Sequence, residues 1–101
     1  MATFIIIYRR GQAWIEGKSI SEQPLEEHGK YILGLYGAGK LRFAGPFEDD
    51  SGGAAVIEAA SEQEARSIAR DDPAVTSGVF VYEIHPWKLV PWERYANAGE
   101  K

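Results

Sequence analysis

His28 is the residue of this sequence whose type and position best suit acid–base chemistry. It lies three residues after Leu25 and four before Ile32, so these side chains share one face of a predicted helix. That face points towards the core or its edge, where a neighbouring carboxylate could orient the imidazole as a general base. The same position also suits a partly buried histidine that only hydrogen-bonds the backbone. Both interpretations stay open here.

Asp72 is the candidate partner of His28. Asp71 and Asp72 stand where a second predicted helix ends, and two helices packed side by side could bring one of these carboxylates to the imidazole. Such a pair would follow the logic of a catalytic triad without its nucleophile, with the carboxylate orienting the ring. The alternative is that Asp72 is a turn-forming residue in front of Pro73.

Five further residues are candidates for contacts with a substrate. Arg9 could present a guanidinium fork to an acidic group, and Trp14 could form part of an aromatic wall. Ser51 and the backbone amides of Gly52 and Gly53 could stabilise a developing oxyanion, and Asp50 of the same turn could contact the substrate. Each also has a plainer interpretation: a solvated strand edge or a salt bridge across a dimer for Arg9, packing of its loop onto the body or onto a second subunit for Trp14, and a solvated acidic turn for the rest.

The sequence holds no pattern for a metal or a cofactor. It has two histidines, which are far apart, and no cysteine. Residues 34–40 fit G-x-x-x-x-G-K, but Leu41 replaces the Ser or Thr that would hold magnesium. The glycines also end a predicted helix instead of opening one, so a phosphate would face the wrong pole of the helix dipole. We expect no metal and no cofactor.

Composition limits the class of partner. Lys and Arg number 11 and Asp and Glu number 15, which gives a net charge of −4 over 101 residues. The basic residues are scattered, so we expect no binding of nucleic acid. No apolar run approaches the ~20 residues of a membrane span, and residues 1–10 do not resemble a signal peptide. The expectation is a cytoplasmic protein that binds a small molecule.

Local patterns predict the elements that must position His28 and Asp72. Four segments rich in β-branched, aromatic and small apolar residues are predicted as strands: residues 3–8, 40–44, 54–59 and 79–84. Gly45-Pro46 is expected to break the second strand. A first helix is predicted over residues 24–38, opened by Pro24 and ended by glycines. A capping box opens the second helix at Ser61, and Asp72-Pro73 closes it.

The predicted order β-α-β-β-α-β indicates an α+β domain of the ferredoxin-like type, in which an antiparallel sheet carries both helices on one face. The first strand is apolar on both of its faces, which would leave a large apolar patch on the open side of a monomer. We therefore expect a homodimer that pairs through the sheet faces. The domain is predicted to span residues 1–87, followed by a C-terminal tail of residues 88–101.

Four segments together resemble the YCII-related (YciI-like) family. They are Pro24-Leu25-x-x-His28, Gly39-Lys-Leu-x-x-Ala44-Gly45-Pro46-Phe47, Asp49-Asp50-Ser51-Gly52-Gly53, and Asp72-Pro73-x-Val75 with Gly78-Val79. The resemblance implies a ferredoxin-like fold paired into a dimeric α+β barrel. It also implies a His–Asp pair in a cleft, made of His28 and Asp72. Many relatives carry Asp where this chain has Ala44, so any role of that acid would pass to another group, such as Asp49 or Asp50.

The activity that this resemblance implies is an elimination or dehydrochlorination on a small activated ring. The first hypothesis is therefore a lyase- or isomerase-like enzyme without a cofactor, in which His28 is the general base and Asp72 orients it. A second hypothesis is a non-catalytic binder of small aromatic or acidic metabolites. A third is an interaction module that docks through its dimer surface and its tryptophan-bearing tail.

Overall fold

A four-stranded antiparallel sheet forms the body of the protein. The computed structural model describes residues 1–99. The strands, in chain order, are β1 Ala2–Arg10, β2 Leu41–Pro46, β3 Gly52–Ala59 and β4 Phe80–Pro86. They lie in the order β2-β3-β1-β4, and every pair of neighbours is antiparallel. The predicted α+β class and ferredoxin-like strand order are confirmed.

Helices lie between the strands and after the last one, and local hydrogen bonds cap two of them. The helices are α1 Glu26–Gly37, α2 Glu62–Arg70, the single turn α3 Pro73–Thr76 and α4 Trp92–Gly99, with a 3₁₀ turn at Ile20–Glu22. The Ser61 hydroxyl accepts the backbone N–H of Glu64 at 3.1 Å, which caps α2 as predicted. Asp72 follows the end of α2 and is itself the N-cap of α3, with Pro73 in the first turn.

The structure corrects the predicted end of the second strand. Gly45 and Pro46 continue β2, paired with Ala54 and Gly53, instead of breaking it. Proline is tolerated here because β2 lies at the edge of the sheet, where a missing N–H need not break a ladder on both sides. Helix α4 was not predicted at all. Of the predicted tail, residues 100 and 101 lie outside the described residues.

The core lies between the sheet and the helices. In β1, Phe4, Ile6 and Tyr8 are buried and alternate with side chains of the opposite face. They pack with small and apolar residues of the helices and of the neighbouring strands: Ile57, Ala59, Ala65, Ala69, Ala74, Phe80 and Ile84. Tyr8 is the last of the three and brings a hydroxyl group into this core.

The opposite face of the sheet carries apolar side chains that water reaches. Ile5 and Ile7 of β1 are half-buried on this face. Val81 of β4 is 53 % exposed and Phe43 of β2 is 69 % exposed. In the tail, Trp92 and Tyr95 of α4 are also largely exposed and contact each other, with ring centroids 5.7 Å apart. An apolar surface of this kind is typical of an interaction site.

No helix within residues 1–99 has both the length and the apolar character needed to cross a membrane.

Candidate active site

His28 and Asp72 are in direct contact at the edge of the core. The Nδ1 atom of His28 lies 2.8 Å from each of the two carboxylate oxygens of Asp72. The His28 side chain is 19 % exposed, whereas the Asp72 side chain is fully buried. The structure thus brings together the two residues that the sequence singled out, although they are 44 positions apart in the chain.

Asp72 is held in place by donors from different parts of the chain. As the N-cap of α3, it accepts the backbone N–H of Ala74 on Oδ1 at 2.9 Å. Its Oδ2 accepts the hydroxyl of Tyr8, from β1, at 3.2 Å. His28 reaches it from the first turn of α1. A buried carboxylate requires such partners, because burying it without them would cost several kcal/mol, by an order-of-magnitude estimate.

The contact with Asp72 determines which ring nitrogen of His28 is free. A carboxylate can only accept, so Nδ1 must carry a proton and donate it to Asp72. The other nitrogen, Nε2, has no hydrogen-bond partner among residues 1–99. When the imidazole is neutral, Nε2 is therefore a free base.

Two aromatic rings orient the imidazole further. The Tyr8 ring meets it edge to face, with centroids 5.4 Å apart at 81°, and the Phe80 ring does the same at 5.7 Å and 86°. Aromatic pairs favour this geometry. The imidazole is thus held by a carboxylate on one side and by two rings around it, which leaves it little freedom to rotate.

A mainly apolar cavity of about 370 Å³ opens beside His28. It is bounded by the 3₁₀ turn, α1 and the facing parts of the sheet, and its lining includes Tyr8, Ile20, Ser21, Leu25, His28, Ile32, Ala44, Gly45, Pro46, Gly53 and Phe80. The volume falls at the small end of the range for ligand sites. Besides His28 and Tyr8, only Ser21 adds a polar side chain to it, so the cavity suits a small ring with few polar groups.

Glycine at position 52 allows β3 to approach β1 next to this cavity. Gly52 has a φ angle of 152°, and a Cβ atom there would collide with the carbonyl oxygen of Tyr8. Residues that carry a side chain rarely adopt this backbone conformation. Gly52 therefore serves the site by letting the strand that carries Tyr8 pair closely with its neighbour.

The model of the YCII-related domain matches residues 1–88 of this chain. The protein belongs to the YCII-related family. A second comparison agrees: the uncharacterised protein YjpA of Bacillus subtilis is 34% identical over 89 residues, which cover 88% of this chain and 98% of that protein. The family suggested by the four sequence segments is thus confirmed.

A solved structure shares the fold. It is that of 5-chloro-2-hydroxyhydroquinone dehydrochlorinase (TftG) from Burkholderia phenoliruptrix AC1100, in complex with 2,5-dihydroxybenzoquinone. It superposes with a TM-score of 0.59 and covers 86% of this chain and 95% of that one. The sequence identity is 21%. At that level the similarity shows the fold and leaves the activity to be argued from the site.

Arg9 and Trp14 do not line the cavity of this YCII-related domain. Arg9 extends from the opposite face of the sheet and forms a salt bridge with Glu83, with a nitrogen–oxygen distance of 2.9 Å. Trp14 is buried and stacks on Phe80, with centroids 6.2 Å apart, while the Arg10 guanidinium lies 4.8 Å from the centre of its ring. The Arg9 salt bridge lies within one chain, whereas the sequence suggested a solvated edge or a salt bridge across a dimer. Trp14 packs its loop onto the body, and the substrate contacts of both residues stay predictions.

The turn between β2 and β3 braces the preceding loop. Asp50 accepts the backbone N–H of Ile20 on Oδ1 at 3.0 Å, and its carbonyl oxygen accepts two donors of Arg10 at 3.0 and 2.8 Å. Ser51 donates to Asp49 at 2.6 Å. The lining of the cavity includes Gly53 but not Asp50, Ser51 or Gly52. That the turn binds a substrate stays a prediction.

Position 44, where the resemblance to the family implies an Asp, contributes to the cavity wall only the methyl group of Ala44. The two acids that could replace it are engaged elsewhere. The hydrogen bonds from Ser51 lower the pKa of Asp49, which holds this carboxyl in its charged form within the turn. Asp50 is bound to Ile20. Neither lies in the lining of the cavity.

Two residues of the site were missed in the sequence. Tyr8 was predicted only as part of a strand, although a tyrosine on the buried face of a strand needs a partner for its hydroxyl, and this was the available signal. Gln23 is 6 % exposed and bonds the backbone N–H and carbonyl of Ile15 and the carbonyl of Lys18. It closes the loop that precedes α1, and nothing in its local sequence indicated this.

Within residues 1–99, no cluster of three or more His, Cys, Asp or Glu side chains could hold a metal ion.

The environment of Tyr8 predicts a loss of stability at alkaline pH. Burial, and then the negative charge of Asp72, raise the pKa of Tyr8 far above its ordinary value. Above pH about 10 the unfolded chain releases this proton and the folded protein keeps it, so the free energy of unfolding falls as pH rises. Chemical denaturation should show that the free energy of unfolding falls less in Tyr8→Phe than in wild type between neutral pH and pH about 11. The difference between the two falls should be about 1 kcal/mol.

The matched control for this measurement is Tyr36→Phe, which removes a phenol that is 66 % exposed. Its stability should follow the wild-type dependence on pH. An equal alkaline loss in wild type and Tyr8→Phe would contradict the assignment of the proton to Tyr8.

Proposed function

We propose that this protein is an enzyme of the lyase or isomerase type that needs no cofactor and acts on a small activated ring. The observation that carries the proposal is the contact of His28 Nδ1 with the buried carboxylate of Asp72, 2.8 Å away, beside an apolar cavity. A histidine with this partner and one unbonded nitrogen suits general base catalysis. Among the described residues, no Ser, Thr or Lys side chain hydrogen-bonds to His28. A proton transfer is therefore a more fitting first step than covalent catalysis.

In the proposed mechanism, Nε2 of His28 takes a proton from an acidic hydroxyl or carbon of the bound ring. The electron pair left behind moves into the ring. There it either expels a leaving anion from the ring or takes the proton back from the His28 imidazolium at another ring atom. The first route is an elimination and the second an isomerisation. Asp72 stabilises the imidazolium formed in between and keeps the ring in its orientation.

The size of this catalytic effect limits the substrate. General base catalysis supplies roughly 10²- to 10⁴-fold. An unactivated C–H bond would need far more, so the ring must already stabilise the negative charge, as hydroxylated aromatic rings and quinones do. The apolar lining agrees with such a planar ring. The solved structure of TftG, a dehydrochlorinase holding 2,5-dihydroxybenzoquinone, supports this class of substrate through its shared fold.

A second candidate function is the binding of a small aromatic molecule without its conversion. It is favoured by the scarcity of polar side chains in the cavity, where besides His28 only Tyr8 and Ser21 carry polar groups and the Tyr8 hydroxyl is already bound to Asp72. A binder of this kind would show saturable binding without conversion of the ligand. Its Kd would depend on Leu25 or Phe80 more than on His28.

We also propose that two copies pair through the open faces of their sheets. The support is the row of apolar side chains on that face, including the half-buried Ile5 and Ile7 and the exposed Val81 and Phe43. A second sheet would remove these groups from water, which is favourable by about 25 cal/mol per Å². The dimer would be the α+β barrel that the resemblance to the family implies.

Removal of His28 should lower turnover strongly. With an activated hydroxyquinone found by screening, His28→Ala should lose about 10²-fold or more in kcat, measured by absorbance under saturating substrate. Asp72→Asn should also lower kcat, because the amide cannot stabilise the imidazolium as a carboxylate does. His85→Ala is the control, since His85 lies outside the cavity lining and, within residues 1–99, its side chain bonds Glu83 alone. A folded His28→Ala with wild-type turnover would rule out the proposed base.

A charge on the open face of the sheet should separate the dimer. Sedimentation at micromolar concentration should give a dimer mass for wild type and a monomer mass for Val81→Asp, because the carboxylate would be buried without a partner. Leu33→Asp, at a position 68 % exposed on α1, should remain a dimer. A clean monomer for the wild-type chain would contradict the pairing.

A further inference from the structure

Tyr8 is the one side chain other than His28 that donates a hydrogen bond to Asp72 among the described residues. It is 3 % exposed, and its ring lines the cavity. Its neighbours on the same face of β1, Phe4 and Ile6, are apolar. A phenylalanine would fill the same space at position 8, so packing alone does not account for the hydroxyl group.

We propose that Tyr8 is a positioning residue that shares the charge of Asp72 with His28 and thereby sets how strongly the free imidazole nitrogen attracts a proton. The proposal takes its catalytic meaning from the proposed function, but its physical content concerns only these three side chains.

The geometry of the carboxylate supports this role. One oxygen of Asp72 is held by the backbone N–H of Ala74 at 2.9 Å, and the other by the hydroxyl of Tyr8 at 3.2 Å. His28 Nδ1 lies 2.8 Å from both oxygens. With one anchor on each oxygen, the carboxylate cannot rotate towards either side, and the imidazole stays centred on it. Loss of the Tyr8 hydroxyl would remove the anchor on Oδ2 and leave only the one on Oδ1.

The charge of the carboxylate leads to the same conclusion. A hydrogen bond to a charged acceptor withdraws part of its negative charge. Without the Tyr8 hydroxyl, Asp72 would attract the imidazolium more strongly, and His28 would hold its proton to a higher pH. The hydrogen bond from Tyr8 therefore weakens the hold of Asp72 on the His28 proton. Burial and the charge of Asp72 raise the pKa of Tyr8, so the phenol remains a donor at neutral pH.

Three other titratable groups lie near His28 and Asp72, and each is bonded to a different partner. Tyr31 of α1 donates to the carbonyl of Ile68 at 2.8 Å instead of to Asp72. Asp71, next to Asp72 in the chain, is largely exposed and faces Arg70 at 3.4 Å. Glu27, next to His28 in α1, is likewise exposed and pairs with Lys30. Tyr31→Phe is consequently a matched control, because it removes a nearby phenol that does not bond the carboxylate.

The test is an NMR pH titration of the two histidines in ¹⁵N-labelled protein, with the exposed His85 as internal reference. Tyr8→Phe should raise the midpoint of the His28 titration by about half a unit to one pH unit, in line with the strength of a hydrogen bond to a charged group. Tyr31→Phe should leave it within about 0.2 units of wild type, on the same scale. In the Asp72→Asn background, Tyr8→Phe should have no further effect.

Either of two results would overturn this role of Tyr8. One is an unchanged midpoint in folded Tyr8→Phe, and the other is an equal shift in the Asp72→Asn background, which would show that the effect does not pass through Asp72. Should Tyr8→Phe not fold, 3-fluorotyrosine at position 8 tests the same point. This more acidic phenol is a stronger donor of the same shape and should lower the midpoint, whereas an unchanged midpoint would count against the role.

These outcomes are separate from those of the proposed function. If Asp72→Asn leaves the His28 titration unchanged, the His28–Asp72 pair itself has failed, and the proposed base fails with it. If only Tyr8→Phe has no effect, the inference about Tyr8 fails alone.

Discussion

A carboxylate buried in an apolar core must be given hydrogen-bond donors, and the site of this protein depends on how Asp72 obtains them. The donors are the backbone of α3, the hydroxyl of Tyr8 on β1 and the imidazole of His28 on α1. One fully buried side chain thus ties together a strand and two helices. The same contacts that satisfy the carboxylate also orient the histidine, so the stability of this region and its chemistry have a single origin.

The rest of the fold supports this arrangement at a distance. The alternation of β1 sends Tyr8 to the helix side of the sheet, and Gly52 allows β3 to pair with that strand without a collision. The contacts of Gln23 and Asp50 hold the loop before α1, and with it the start of the helix that carries His28. The cavity lies between these parts. Its polar chemistry comes largely from one nitrogen, which is why an already activated ring is the substrate class that it suits.

Local patterns predicted the strands, the face of α1 that carries His28 and the capping of α2, because each depends on residues close together in the chain. The distance between His28 and Asp72 could not be predicted, since it follows from how α1 and α3 pack on the sheet. Tyr8 was missed for the same reason: its partner lies 64 positions away. The predicted substrate contacts of Arg9 and Trp14 came from residue type alone. In the structure these side chains contact Glu83 and Phe80, and their contact with a substrate stays a prediction.

The central claim is that Asp72 holds the proton of neutral His28 on Nδ1 and leaves Nε2 free as the base. The most direct test is the ¹⁵N NMR spectrum of the imidazole at pH about 8, where a histidine of ordinary acidity is neutral. The account predicts a protonated Nδ1 and an unprotonated Nε2 for His28, resolved from the signals of His85. A neutral His28 with its proton on Nε2 would contradict it, because Nδ1 could then not donate to Asp72 and Nε2 would not be free to accept a proton.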